Sequence, residues 1–278
     1  MAGAPNRREA AGDGVPRVAR RPHRPDRDSV DHALTELRRR IVGGDIPPGT
    51  ELSQVSLAEA LGVSTTPLRE ALRQLEAEGL VESRRNRRPR VPPFDPDDLD
   101  SVYCNRVLLE SLSVALSVPA MTPDDLAALR GHLDTMARHA DESDDTAWEA
   151  AHKEFHRGLV AKCGEPLRNQ VDVLLTRAER YRRMSVLGNE PVSRAGGVGA
   201  REHEAILAAC EANEPRETAL LLARHLTRSA LAVLAHLAPD ADPVAVRTAL
   251  HMVMSWSGGP DGAEPPAAMS AAGRRRGL

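Results

Sequence analysis

Four histidines in this chain, His152, His156, His203 and His225, have the type and spacing that metal chemistry needs. His152 and His156 stand four residues apart, so on a helix they share one face and reach a common ion. His203 and His225 belong to two later segments, each among apolar neighbours that would turn the ring inward. These are Ile206, Leu207 and Ala208 after the first, and Leu221, Leu222 and Leu226 around the second. Clustered neutral imidazoles suit Zn, Ni, Cu and Fe. A lone helical histidine is more simply a surface or satisfied core residue, and His132, His139, His236 and His251 are read that way. Arg106 is the candidate second anchor. Near Tyr103 and Glu110, it either grips a ligand carboxylate through two parallel hydrogen bonds or pairs with Glu110 at i+4, and the sequence leaves both open.

A different chemistry is written between Leu57 and Val91. Leu57, Ala58, Ala60 and Leu61 form an apolar stripe at helical spacing, which Gly62 ends as a C-terminal cap. Ser64 is placed to cap a second helix, Pro67 fits its first turn, and Leu68, Ala71, Leu72 and Leu75 give its buried face. Two helices across so short a turn predict a helix-turn-helix, whose second helix enters the DNA major groove. Ser64, Thr65, Thr66, Arg69 and Arg73 then lie on its start and outer face, toward base edges and phosphates. Arg84, Arg85, Arg87, Arg88 and Arg90 follow within seven residues, between Leu80-Val81 and Val91, and predict a basic two-strand hairpin with Arg87 and Arg88 as phosphate contacts. A helix pair or a charge run alone is common in all-helical proteins. In this order and together they predict a winged helix-turn-helix that binds double-stranded DNA.

The elements that must position these residues are helical. At 278 residues the chain has room for two domains. Aromatic residues make up only 2%, so the cores must come from Leu, Ala, Val and Met, and Ala and Leu lead the helix propensity scale. The net charge is −3, so positive charge is local, which favours a compact DNA-reading module over a general polyanion binder. Cys104, Cys163 and Cys210, odd in number and far apart, read as reduced packing residues rather than a disulfide frame or a cysteine metal site. No apolar run reaches transmembrane length and the N-terminus lacks the apolar core of a secretion signal, so the expectation is a cytoplasmic protein with no membrane partner.

Residues 1–28, rich in Arg, Pro, Gly and Ala, read as a disordered basic arm, either touching DNA phosphates or simply solvated. Residues 29–92 form the DNA-binding domain. It opens with a helix over 29–43 that buries Leu34, Leu37, Ile41 and Val42, is capped by Asp28 or Ser29 and ends at Gly43-Gly44. The Pro92-Pro93-Phe94-Asp95-Pro96 segment is a stiff hinge. Residues 93–238 predict an all-helical antiparallel bundle that binds effector and dimerises. Its helices lie near 96–118, 123–140, 146–163, 165–187, 197–213 and 214–238, with Ser185–Gly199 a flexible connection. Residues 239–278 add a further helix near 243–256 and a disordered tail.

These residues resemble a known family. IVGGDIPPGTELS at 41–53 and LAEALGVSTTPLREALRQLEAEGLV at 57–81 resemble the winged helix-turn-helix of GntR-type transcriptional regulators. The second half resembles the all-helical FCD effector domain of the FadR subfamily, through Arg106 and Glu110, Glu154-Phe155-His156 with Gly164 after it, Glu202-His203 and His225-Leu226. In that family an Asp and a His four residues apart, with two distant His, hold a metal. The resemblance therefore implies that His156, His203 and His225 are ligands, with His152 in the place of the Asp. Losing that carboxylate moves the expected ion from Mn²⁺ toward Zn²⁺ or Ni²⁺. Thr65 stands where the family usually has Arg, Arg88-Pro89 where the hairpin tip carries glycine, and Gln54 where Glu is frequent. A lost bidentate Arg–guanine contact alters discrimination at its base by roughly 1–3 kcal/mol, so the operator half-site is expected to differ from the usual one.

The resemblance implies a metabolite-responsive, sequence-specific transcriptional regulator, a homodimer and a repressor released from operator DNA by a small organic acid. Geometry also asks for a dimer, because one recognition helix reads only a few base pairs. Two other readings stand beside it. One is a metal-dependent enzyme of small carboxylic acids carrying a DNA-binding domain, the other a non-specific architectural DNA binder. Neither a Ser-His-Asp order, an H-E-x-x-H, a P-loop nor a dinucleotide fingerprint is found, so no catalytic residue is assigned and no enzyme is expected.

Overall fold

A computed structural model describes residues 27–83, 87–140, 146–186 and 197–257. The expected basic arm up to residue 26, the tip of the hairpin (84–86), most of the connection after Ser185 (187–196) and the C-terminal tail (258–278) lie outside the described residues.

The chain builds two hydrophobic cores. The first belongs to α1 (Arg27–Val42), α2 (Gln54–Leu61) and α3 (Thr65–Ala77). Ala33, Leu37 and Ile41 of α1 meet Leu68, Ala71, Leu72 and Leu75 of α3, and Leu52, Leu80, Val81 and Val91 close the cluster. Gly62 ends α2 in the left-handed conformation, at φ 64°, and its amide hydrogen-bonds to α2 carbonyls, as the sequence predicts. Several local details differ from the expectation. The first helix already begins at Arg27, so Asp28 and Ser29 lie in its first turn instead of capping it. Only Ala58 and Leu61 of the expected α2 stripe are buried, since this short helix meets its neighbours along one edge. Ser64 has cap backbone angles but its side chain makes no cap hydrogen bond.

Among the described residues the hairpin shows only its base. Among the described residues there is no strand, only isolated antiparallel bridges of Glu82 and Glu51 to Arg90. Glu82 and Arg90 exchange backbone bonds of 2.9 and 3.0 Å, while Leu52 N donates to Pro89 O at 2.7 Å on the other side. Proline at 89 has no N–H to extend the ladder. The wing is thus a ribbon of single pairings between the turn before α2 and the chain after α3.

The second core is a bundle of α4 (Pro96–Ser117), α5 (Pro123–Arg138), α6 (Thr146–Leu159), α7 (Glu165–Val186), α8 (Val198–Glu211), α9 (Pro215–Leu237) and α10 (Val244–Ser257). Asp95 caps α4 by accepting from the amides of Asp97 and Asp98, and Thr122 with Asp125 forms a capping box on α5. Helix α4 packs against α7, α9 and α10, while α5 bridges α6 and α8. Helix α10 is a member of this core, not an appendage. Val246, Ala249 and Val253 join the same cluster, and Asp100 of α4 accepts from the amides of Ala245 and Val246, both at 2.8 Å. Against the expectation that no apolar run reaches transmembrane length, helix α9 is long and apolar enough to cross a membrane, but it is a core helix and buries Leu222, Ala223, Leu226 and Ala230.

Candidate metal centre and DNA-reading surface

On the first domain, Ser64, Thr65, Thr66, Arg69 and Arg73 are all exposed along the start and outer face of α3, and Arg87 and Arg88 are exposed at the base of the wing. Arg69 is held outward by Gln54 of α2, whose Oε1 accepts from its Nε at 3.1 Å. Arg73 pairs with Glu70 on the solvent side, at 2.6 Å. Arg90, counted in the basic run, turns instead to an ion pair with Glu82 and braces the wing. In the sequence Gln54 is only a departure from the family pattern; its part in orienting Arg69 follows from α2 and α3 lying side by side.

In the bundle, α6, α8 and α9 bring the four histidines together. Their candidate ligand atoms all lie within 4.8 Å of one another; His156, His203 and His225 are buried and His152 is half-buried. His203 Nε2 and His225 Nε2 are 3.2 Å apart. Ligand nitrogens on one tetrahedral zinc, at bonds of about 2.0–2.1 Å, sit about 3.3 Å apart, so this spacing fits a shared ion. His152 stacks on Trp148, with ring centroids 4.8 Å apart and planes 14° from parallel, which fixes the fourth ring beside the other three. Neither ring nitrogen of buried His156 has a hydrogen-bond partner. Such an orphaned pair is costly unless something pairs with it. The residues present therefore fit a divalent cation.

Two carboxylates stand behind the imidazoles. Glu202 Oε2 lies 2.8 Å from His225 Nδ1, and Glu202 is itself clamped by Arg228. Glu110 Oε2 lies 3.6 Å from His156 Nδ1, an electrostatic contact beyond hydrogen-bond length. A proton held on Nδ1 by a carboxylate leaves Nε2 as the lone-pair donor, the arrangement that orients metal-binding histidines. Burial keeps all four rings neutral. It brings His156 down to about 4 against the pull of Glu110, and lowers His152, His203 and His225 as well. Burial resists ionisation of Glu202, but the bonds from His225 and Arg228 outweigh it and bring the carboxyl to about 2. The Glu110 carboxyl is lowered despite its burial, chiefly by Arg106 beside it. In the sequence Glu110 is a possible partner of Arg106 and Glu202 a family mark; no spacing rule points from either to the ring beside it.

Of the two readings of Arg106, the structure shows the pair with Glu110. It pairs with buried Glu110, Nε to Oε1 at 2.5 Å, and it lines a small cavity with Tyr103, His152, His156 and His225. The cavity holds about 20 Å³, room for one water-sized group. Its remaining wall comes mainly from α7, through Leu175, Ala178, Glu179 and Arg182, with Lys153 opposite Glu179 at 3.2 Å.

Comparison with known proteins agrees with this division. The family model for "Bacterial regulatory proteins, gntR family" matches residues 30–91 and the FCD domain model matches residues 101–228. The HTH-type transcriptional repressor GlaR of Escherichia coli K12 is 28% identical over 200 residues, 68% of this chain and 89% of that protein. An uncharacterised HTH-type regulator of Bacillus subtilis, YdhC, is 29% identical over 126 residues, 45% of this chain and only 56% of that protein. Among solved structures, E. coli McbR/YncC superposes with a TM-score of 0.64 over 72% of this chain and 94% of that one, at 24% identity, which is a likeness of fold.

Proposed function

The chain belongs to the GntR family of transcriptional regulators and carries an FCD effector domain, and on that premise we propose that it is a cytoplasmic, homodimeric repressor that a small organic acid releases from operator DNA. The observation that carries this reading is the cavity in which Arg106 faces the histidine cluster. His156, His203 and His225, with His152 as a fourth and weaker ligand, would hold Zn²⁺ or Ni²⁺. The ion would supply local positive charge favouring an anion beside it. Arg106 engages Glu110 through Nε and one Nη, and its other Nη would take an incoming carboxylate. Ser64, Thr65, Thr66, Arg69 and Arg73 would read the major groove, while Arg87 and Arg88 hold phosphates. GlaR is named a repressor, which supports the sign of the response.

The cavity itself has room for about one water-sized group, so an organic acid bound there would displace its wall, and that displacement would give differential affinity for two states. The test uses operator DNA selected in vitro by the full-length protein and a panel of mono- and dicarboxylic acids. One acid is expected to weaken operator binding by roughly 5–150-fold. Arg106→Lys keeps a cation beside buried Glu110 but lacks the planar fork, so it should blunt that response and leave ligand-free binding intact. If every acid leaves the affinity unchanged, or if one is consumed by the purified protein, the reading is wrong.

A further inference from the structure

Helix α7 touches both halves of the molecule. One face, through Leu175, Ala178, Glu179 and Arg182, lines the cavity beside the histidines. The adjacent face grips the junction between the domains. Arg180 donates from Nη1 to Pro92 O at 2.8 Å, Phe94 packs edge-on against Tyr181 with centroids 5.8 Å apart, and Tyr181 O–H donates to Asp98 at the start of α4. Arg177, paired with Asp98, lies along Gly79 in the turn that follows the recognition helix. A Cβ placed on Gly79 would come within 2.9 Å of Arg177 Nε, and Gly79 itself is at φ 73°. Glu78, next to it, is tied to Arg38 of α1 at 2.5 Å. The Pro-rich segment is therefore fastened to α7 rather than standing free, and the exit of the recognition helix rests against a side chain of the effector domain.

We propose that Arg177 is the positioning residue of the DNA-reading surface, setting the recognition helix from α7, and that α7 is the rod by which the cavity acts on it. This inference rests on the DNA-binding and effector reading above. A guest that widens the cavity must move the α7 wall, and the same turns of helix carry Arg177 and Arg180 to Gly79 and Pro92.

The first arm needs no ligand. Operator affinity is measured for full-length wild type, Gly79→Ala, Arg177→Ala and the double variant, on DNA selected in vitro by the wild type. Gly79→Ala should weaken binding at least threefold less in the Arg177→Ala background than in the wild type, within the roughly 2–150-fold span of coupling between contacting residues. Arg177→Lys, which keeps a cation at Asp98, should recover most of the affinity lost in Arg177→Ala. Independent, multiplicative effects would overturn the proposal. The second arm follows backbone hydrogen exchange on adding Zn²⁺ alone. In the wild type, protection over α6, α8 and α9 should be accompanied by a change at residues 75–82, and Arg177→Ala should keep the former and lose the latter. A change at residues 75–82 that persists in Arg177→Ala, or protection at the histidine helices that stops there in the wild type, also overturns it. No zinc-induced protection anywhere would refute the metal reading, and the affinity cycle alone would then decide the role of Arg177.

Discussion

On the DNA-reading domain every candidate side chain is exposed and comes from one helix and the ribbon after it; in the bundle the candidate ligands are buried and come from α6, α8 and α9. The first surface faces its partner ready-made, with Arg69 propped by Gln54 and the backbone fixed by a small separate core. The second is an interior that works only because polar groups are desolvated together, with Glu110 and Glu202 supporting rings that burial keeps neutral. The difference teaches where each site is vulnerable. An exposed surface would lose one contact at a time, whereas a buried cluster would lose any ion it holds, its charge balance and its packing together.

The largest expected effect is therefore in the bundle. His156→Ala, His203→Ala or His225→Ala should take zinc from about one ion per chain to none by elemental analysis, whereas His152→Ala, at the half-buried position, should only weaken it, since three-ligand sites retain an ion. Equal loss in all four variants would make His152 a full ligand and sharpen the contrast; retention in all four would break it.

Acid should next separate the two regions in chelator-treated protein. The histidine pKa values are lowered by folding, so below about 6.5 the unfolded chain binds more protons than the folded one. Their contribution is fully present above the unfolded value and is lost as pH falls toward about 4, where His156 protonates. At about 1.4 kcal/mol per unit, His156 alone is worth about 3 kcal/mol. Thermal unfolding that does not shift between pH 7 and 4.5, or shifts equally in a His156→Gln variant, would show that the cluster is not neutral.

On the DNA side, Arg69→Ala should lower operator affinity by about 1–3 kcal/mol for each half-site and abolish the preference over random DNA. An unchanged footprint would remove α3 from the reading role. The smallest effect belongs to Arg87→Ala and Arg88→Ala. Each should weaken all sequences alike and lower the salt slope by about one, as a lost phosphate contact does. A sequence-selective loss at either would make the wing a reader of bases, and the comparison would need redrawing.

Much of the plan was legible in the residues. Helix positions came from periodicity, caps and prolines, and eight expected helices appear within a few residues of their predicted ends. Gly62 acts where local chemistry puts it, because capping involves neighbours in sequence, whereas the caps expected at Asp28 or Ser29 and at Ser64 do not form. The exposed face of α3 was legible for the same reason, since the pattern that buries Leu68, Ala71, Leu72 and Leu75 leaves Arg69 and Arg73 on the opposite side. What spacing could not supply was anything joining distant segments. That Arg90 braces Glu82, that Glu202 supports His225 rather than its neighbour His203, that α10 is held by Asp100 and that Arg177 rests on Gly79 all depend on how helices cross. Crossings are set by the packing of whole side-chain surfaces, which one-dimensional periodicity does not contain. The sequence by itself determined which residues face inward and which could bind; the tertiary structure decided which of them meet.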